Sequence, residues 1–489
     1  MKKILFVKFL IALLFFISIN KLKAQIKCKI ENYSTEDGLS HDAIRDIIKG
    51  KDGFMWFATW DGLNRYDGEN FLTYKATAAD NSSLGNNRID LLKEDASGHI
   101  WFKAYNNQIY RFEKNTEKFL SIAKILGTNK IKFKEIIPDS NGNVWLTTVD
   151  KGIYMVPKHI SSQVKIIHFQ QGLKNQLSIA SNKLNFLFED KNNIIWVGSD
   201  QGLDMITKSP NQGFKSKNIL KKSNIKSYYS EGNNSWFGTN QGTLICYNKI
   251  QKSYSETTIT SKSINAIIKA KNKDLLFITT STGELFSFNT ESLKTESTFK
   301  IANAPVYKIY QDKQGILWIE PDKHGVLMVN PTEKKVRFFT QQTDATFLQL
   351  ENSFDVFEDN FDRVWVKLKG GGFGYYNQQK STLEYFFNKP GEDNHKFSNI
   401  VASLCFDPSG IIWISTNDRR INKIIFQKNA FKQKIVVHNT KDKSENEIRA
   451  IFTDNEGRLW LSSKAGKLKI FQGKQEIKNL FIDKPNGEL

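Results

Sequence analysis

The chain has 489 residues, a formal net charge of +19 and only three cysteines. Cys28, Cys246 and Cys405 lie far apart and are odd in number, which excludes a disulfide framework. Lysine is spread along the chain with no block of five like charges, so the surplus marks no nucleic-acid tract; it accords with AT-rich coding or with an acidic ligand.

In chain order, the first element is targeting rather than fold. Residues 1–24 have a basic start (Lys2, Lys3), an apolar run from Ile4 to Ile19 and a small residue, Ala24, before Gln25. That pattern predicts a cleaved secretory signal peptide and a periplasmic mature chain. No later stretch offers the roughly 18 continuous apolar residues that a membrane helix needs.

The rest of the chain repeats. Trp56, Trp101, Trp145, Trp196, Trp236, Phe277, Trp318, Trp365, Trp413 and Trp460 follow one another at intervals of 40–51 residues. Three residues before each stands Gly, Asn or Asp, and Asp95, Asp139, Asp190, Asp312, Asp359, Asp407 and Asp454 precede their aromatic residue by six. The stretch Ile44 to Tyr74 shows one unit: an apolar strand, the Asp52-Gly53 turn, the strand around Trp56, a turn at Trp60-Asp61-Gly62, and two more strands parted by Asp67-Gly68. Such a unit cannot bury both faces alone, and radial stacking covers each tryptophan with the next blade.

The predicted fold is therefore all-β, a β-propeller of four-stranded blades. Seven blades are the usual closure for units of this size, which places a seven-bladed ring over 25–340. The remaining 341–489 hold three further blades of a partial second propeller, one ten-bladed ring being the alternative. Lys27 to Tyr33 reads as an outer strand that completes some other blade.

The opening ENYSTEDGLSHDAIRDIIKGKDGFMWFATWDGLNRYDGENFLTY resembles the first repeat of the two-component regulator propeller family. The DGLS before the first strand, the glycine turn before Trp56 and the DGLNRYDG hairpin carry the likeness, which extends over residues 27–489. The resemblance implies the periplasmic sensor half of a Bacteroidetes hybrid two-component system, recognising products of polysaccharide breakdown. It further implies two seven-bladed propellers, a small β-sandwich, a membrane helix, a histidine kinase, a receiver and a DNA-binding module. This sequence stops at Leu489 without kinase or receiver motifs, so the expectation is a truncated chain, joined to a membrane or to a second copy only through parts it lacks.

Catalytic signatures are missing from the sequence. It has no G-x-S-x-G elbow, no H-E-x-x-H, no Cys/His set with zinc spacing and no calcium loop. The expectation is thus no catalytic residue, no metal and no cofactor in this chain. Loops on a rigid scaffold concentrate binding groups, and one rim of a propeller carries the connections between blades and those between second and third strands. On it the sequence places His41, Asp42, Trp60, Asp61, Asn87, Arg88, Tyr105 and Lys183. Amides, carboxylates, cations and aromatic rings together suit an oligosaccharide, acidic if the charge matters. Trp60 alone breaks the tryptophan register; it either stacks on a ligand or caps the ring-closing blade. A secreted polysaccharide lyase or glycosidase and a protein-binding scaffold are the competing functions.

Overall fold

The computed structural model describes residues 28–76, 86–159, 165–209, 213–271, 274–340, 354–370, 372–385, 401–416, 420–426, 443–473 and 475–481. The expected signal peptide lies outside them. Among the described residues ten four-stranded sheets are formed. The first consists of Ile44–Lys49, Met55–Thr59, Gly62–Tyr66 and Phe71–Tyr74, each pairing antiparallel with the next. Eight more begin at Ile89, Phe133, Leu184, Ile225, Ile264, Val306, Asp355 and Val401. The tenth, starting at Ile448, belongs to a separate compact unit, residues 427–489, whereas the other nine fall within residues 1–426.

The turns explain the repeat. Gly62 has φ +120, and a Cβ there would come 2.7 Å from the Tyr74 carbonyl oxygen. Gly242, at the same place in the fifth sheet, has φ +83 and would put a Cβ 2.1 Å from the Thr260 oxygen. Only glycine fits both the conformation and the space. Six of the seven aspartates that stand six residues before a tryptophan share one structural task. Asp95, Asp139, Asp190, Asp312, Asp359 and Asp454 each accept the indole N–H through Oδ2, at 2.7–2.9 Å. In the second sheet the other oxygen, Asp95 Oδ1, accepts the backbone N–H groups of Ser97 and His99, closing the turn. One side chain thereby satisfies a buried indole and a tight turn together.

Packing between sheets follows a single rule. Trp56 shares a buried cluster with Ile89, Leu92 and Ile100 of the second sheet. Trp101 packs with Phe133 and Ile136 of the third, and Trp145 with Leu187 and Ile195 of the fourth. Trp196, Trp236 and Phe277 continue into the fifth, sixth and seventh sheets. Trp318 meets Phe354 and Val356 of the eighth, and Trp365 meets Val401 and Ile412 of the ninth. Trp413 of the ninth then returns to Ile44, Ile47, Met55 and Phe57 of the first.

The division expected at residue 340 is therefore corrected. Nine sheets form one closed cycle, and the N-terminal strand Cys28–Tyr33 is the fourth strand of the ninth, pairing Cys28 with Phe426 and Tyr33 with Ile421. Every junction is a large aromatic side chain, tryptophan in all but the Phe277 case, laid on the next sheet, so no single repeat specifies how many close the cycle. The seam has its own fittings. The Tyr33 and Tyr66 hydroxyls lie 2.9 Å apart, and both rings pack around Trp413. Lys49 of the first sheet donates to both oxygens of Asp407 at 2.8 Å, so Asp407 serves the seam, and the Trp413 indole N–H has no hydrogen-bond partner.

Candidate functional site

The turn after Met55–Thr59 sets out from a hydrogen-bonded base. Thr59 Oγ1 donates to the Gly62 carbonyl at 2.9 Å and accepts the Asp61 N–H at 3.0 Å. Trp60, at the tip, donates its backbone N–H to Ala43. Its side chain is 37 % exposed and belongs to none of the buried clusters that join sheets. The reading of Trp60 as a cap over the closing blade does not describe this placement.

The neighbouring connection is laced to this turn. Gly62 N–H donates to the Asn87 carbonyl and Tyr105 N–H to the Arg88 carbonyl, both at 2.9 Å. Asn87 Oδ1 accepts from Ala76 N–H at 2.9 Å, while its Nδ2 donates to Asp61 at 3.2 Å. Asp61 also pairs with Lys75 at 2.5 Å. These bonds set three side chains in a stack: the Arg88 guanidinium carbon lies 4.2 Å from the Trp60 ring centre and 3.8 Å from that of Tyr105. Tyr105 is 57 % exposed. His41 stands 5.8 Å from Trp60, its Nδ1 accepting the Ala43 N–H at 2.9 Å.

The structure thus brings His41, Trp60, Asp61, Asn87, Arg88 and Tyr105 together at the junction of the first two sheets. Asp42 is turned to a local task, accepting the Thr35 N–H at 2.6 Å. Lys183 is elsewhere, heading the first strand of the fourth sheet. There it lines an open cleft of about 790 Å³ with Asp150, Asn182, Asp200, Gln201 and Asn218. The wall of this cleft is held from beneath by Asp204, fully buried, which accepts from Ala180 N–H at 2.9 Å and Asn218 Nδ2 at 3.0 Å. Burial pushes the Asp204 carboxyl up to about 6, against the lowering effect of those two hydrogen bonds.

Sequence reasoning missed Lys75, Asp90 and Asp204. Lys75 and Asp61 lie on opposite sides of a hairpin and carried no spacing signal. Asp90 lies beneath Arg88, 3.9 Å from its Nε, and 3.5 Å from Arg45 Nε. Asp204 did carry a signal, a carboxylate in a strand otherwise written Leu203, Met205, Ile206. Among the described residues no group of three or more His, Cys, Asp or Glu side chains is placed to hold a metal, and no helix is long and apolar enough to cross a membrane.

Comparison with known proteins agrees with the repeat geometry. The sequence profile of the two-component regulator propeller matches residues 38–61, 395–418 and 442–465. Histidine kinase P4 of Formosa agariphila is 36 % identical over 77 residues, which is 16 % of this chain and 6 % of that protein. The extracellular domain of the hybrid two-component system BT4673 from B. thetaiotaomicron aligns at 18 % identity over 93 % of this chain and 61 % of its own, with a TM-score of 0.28. That of BT3049 from the same organism aligns at 16 % identity over 91 % of this chain and 77 % of its own, with a TM-score of 0.26. The chain spans less than two thirds of the length of the kinase and of the BT4673 domain. The first matched segment contains Gly38, Leu39 and Ser40, Trp56 and the Trp60 turn, and the turn geometry it encodes recurs from sheet to sheet: the chain carries repeats of the two-component regulator propeller type in these three segments.

Proposed function

We propose that this chain is the exported, ligand-sensing part of a two-component regulator, itself without catalytic activity, and that it binds an oligosaccharide on the rim above its first two sheets. The observation that carries this reading is the stack of Trp60, Arg88 and Tyr105. Two exposed rings hold a half-buried guanidinium between them at a junction whose backbone is tied across two sheets. Exposed aromatic and arginine side chains on a rigid base are the groups that dominate recognition energy. The likeness of its repeats to the two-component regulator propeller supports the sensing role.

The nearby carboxylates support binding over turnover. Asp61 is matched by Lys75 and Asn87, and Asp42 by Thr35. Glycoside cleavage needs two carboxyl groups facing each other across the scissile bond, one of them held protonated. Incubation of the full chain with a panel of polysaccharide digests tests both parts. Heat of binding to at least one digest with no new reducing ends is the expected result. Release of reducing ends that a single rim substitution abolishes would replace the sensor with an enzyme.

A further inference from the structure

We infer that Arg88 is the specificity-determining residue of this rim and that it reads an anionic group, a carboxylate or sulfate ester, on the ligand. This rests on the reading of the rim as a saccharide site and narrows its ligand class. The aromatic rings do not offer two open platforms, because the guanidinium lies against a face of each. Their arrangement is a holder: Trp60 and Tyr105 fix the plane of the cation and leave its edge as the recognising surface. Among the described residues that guanidinium donates no hydrogen bond, and its buried Nε, 3.9 Å from Asp90 Oδ1, has no hydrogen-bond partner. A planar fork with its donors unspent and its orientation fixed by stacking is the geometry that takes an oxyanion in bidentate fashion.

The local charge points the same way. Asp90 is the nearest carboxylate, at 3.9 Å, and Arg45 shares it at 3.5 Å, so two guanidiniums face one acid. Asp61 does not compensate, being paired with Lys75. The cluster keeps an unmatched positive charge at a partly exposed edge, where a ligand anion gains a charge-assisted bond without displacing a hydrogen-bonded protein partner. A neutral sugar's hydroxyl can accept from the guanidinium but brings no counter-charge, so it gains less from the same edge.

Three sugars separate the cases: methyl β-D-glucuronoside, galactose 6-sulfate and methyl β-D-glucoside, titrated at constant ionic strength into the full chain. The readout is the indole N–H resonance of Trp60, assigned with Trp60→Phe. At least one charged sugar is expected to bind about tenfold or more tightly than the glucoside. Which of the two does so distinguishes planar carboxylate from tetrahedral sulfate. Arg88→Gln should reduce that advantage to nothing with the melting temperature unchanged, and Arg88→Lys, which keeps charge but loses the fork, should restore it only in part. If the glucoside binds as well as the charged sugars, or if Arg88→Gln leaves their advantage intact, the anion assignment is wrong while saccharide binding stands. If none of the three perturbs Trp60, the assignment and the saccharide reading fall together.

Discussion

Trp101 and Trp60 are the same residue type on one scaffold, yet the chain uses them in opposite ways. Trp101 is almost wholly buried, donates its indole N–H to Asp95 at 2.8 Å and lies on the third sheet. Trp60 is exposed, has an arginine on its ring and packs into no junction. Strand position decides between them. A tryptophan in the middle of the second strand faces the next sheet, and one placed a few residues later, at the hairpin tip, faces the rim. The junctions supply rigidity, and the rim carries what that rigidity positions.

Three changes probe this division, from the largest effect down. The first tests the scaffold. Cys28 and Phe426 are directly opposed across the antiparallel pair that completes the ninth sheet, a separation compatible with a disulfide. Phe426→Cys should oxidise to a cross-link detectable as one joined peptide, stabilising the chain by up to about 5 kcal/mol in the chain-entropy account of so long a loop. Failure to form it under oxidising conditions in the folded chain would break the nine-sheet cycle. Second, Trp101→Ala should cost about 3–5 kcal/mol in denaturant unfolding, the range for emptying a large buried site. A loss below about 1 kcal/mol would mean the junction is not packed as described.

The third concerns Asp204 under the cleft of the fourth sheet. Its folded carboxyl is raised to about 6, first by burial, so the folded state holds its proton more tightly than the unfolded one. Stability from this group is therefore full below the unfolded value, near 4, and is lost as pH rises through about 6. Asp204→Asn keeps an acceptor for Ala180 and removes the charge, and it should gain about 2 kcal/mol at pH 7 relative to its effect at pH 4. Equal effects at the two pH values would contradict the burial-driven shift.

The repeat was legible because each unit writes its own turn and strand signals within about 30 residues. Strand order and the tryptophan register followed from that. The number of sheets in the cycle was not legible, because all nine junctions use the same packing rule, and the strand that closes the ninth comes from Cys28–Tyr33, nearly 400 residues away in sequence. The aspartates at the sixth position were visible as a pattern, but their bond to the indole was not, since it depends on the turn folding the carboxylate back over the ring. The rim shows the same limit. Trp60 stood out by breaking register, whereas its stack with Arg88 and Tyr105 needs three loops brought together by bonds such as Gly62 to Asn87 and Tyr105 to Arg88. Lys183 was grouped with them on loop type alone, and the fold puts it two sheets further on.

Calorimetric titration of the wild-type chain, Trp60→Ala and Asn182→Ala with the same polysaccharide digests, each variant also being melted, tests the rim assignment most directly. Trp60→Ala should weaken binding by about 1–3 kcal/mol while unfolding free energy moves by less than about 0.5 kcal/mol, and Asn182→Ala, in the cleft lined by Lys183, should leave binding unchanged. Binding lost in Asn182→Ala and kept in Trp60→Ala would move the site to the fourth sheet, and a Trp60→Ala chain destabilised as much as Trp101→Ala would make Trp60 core.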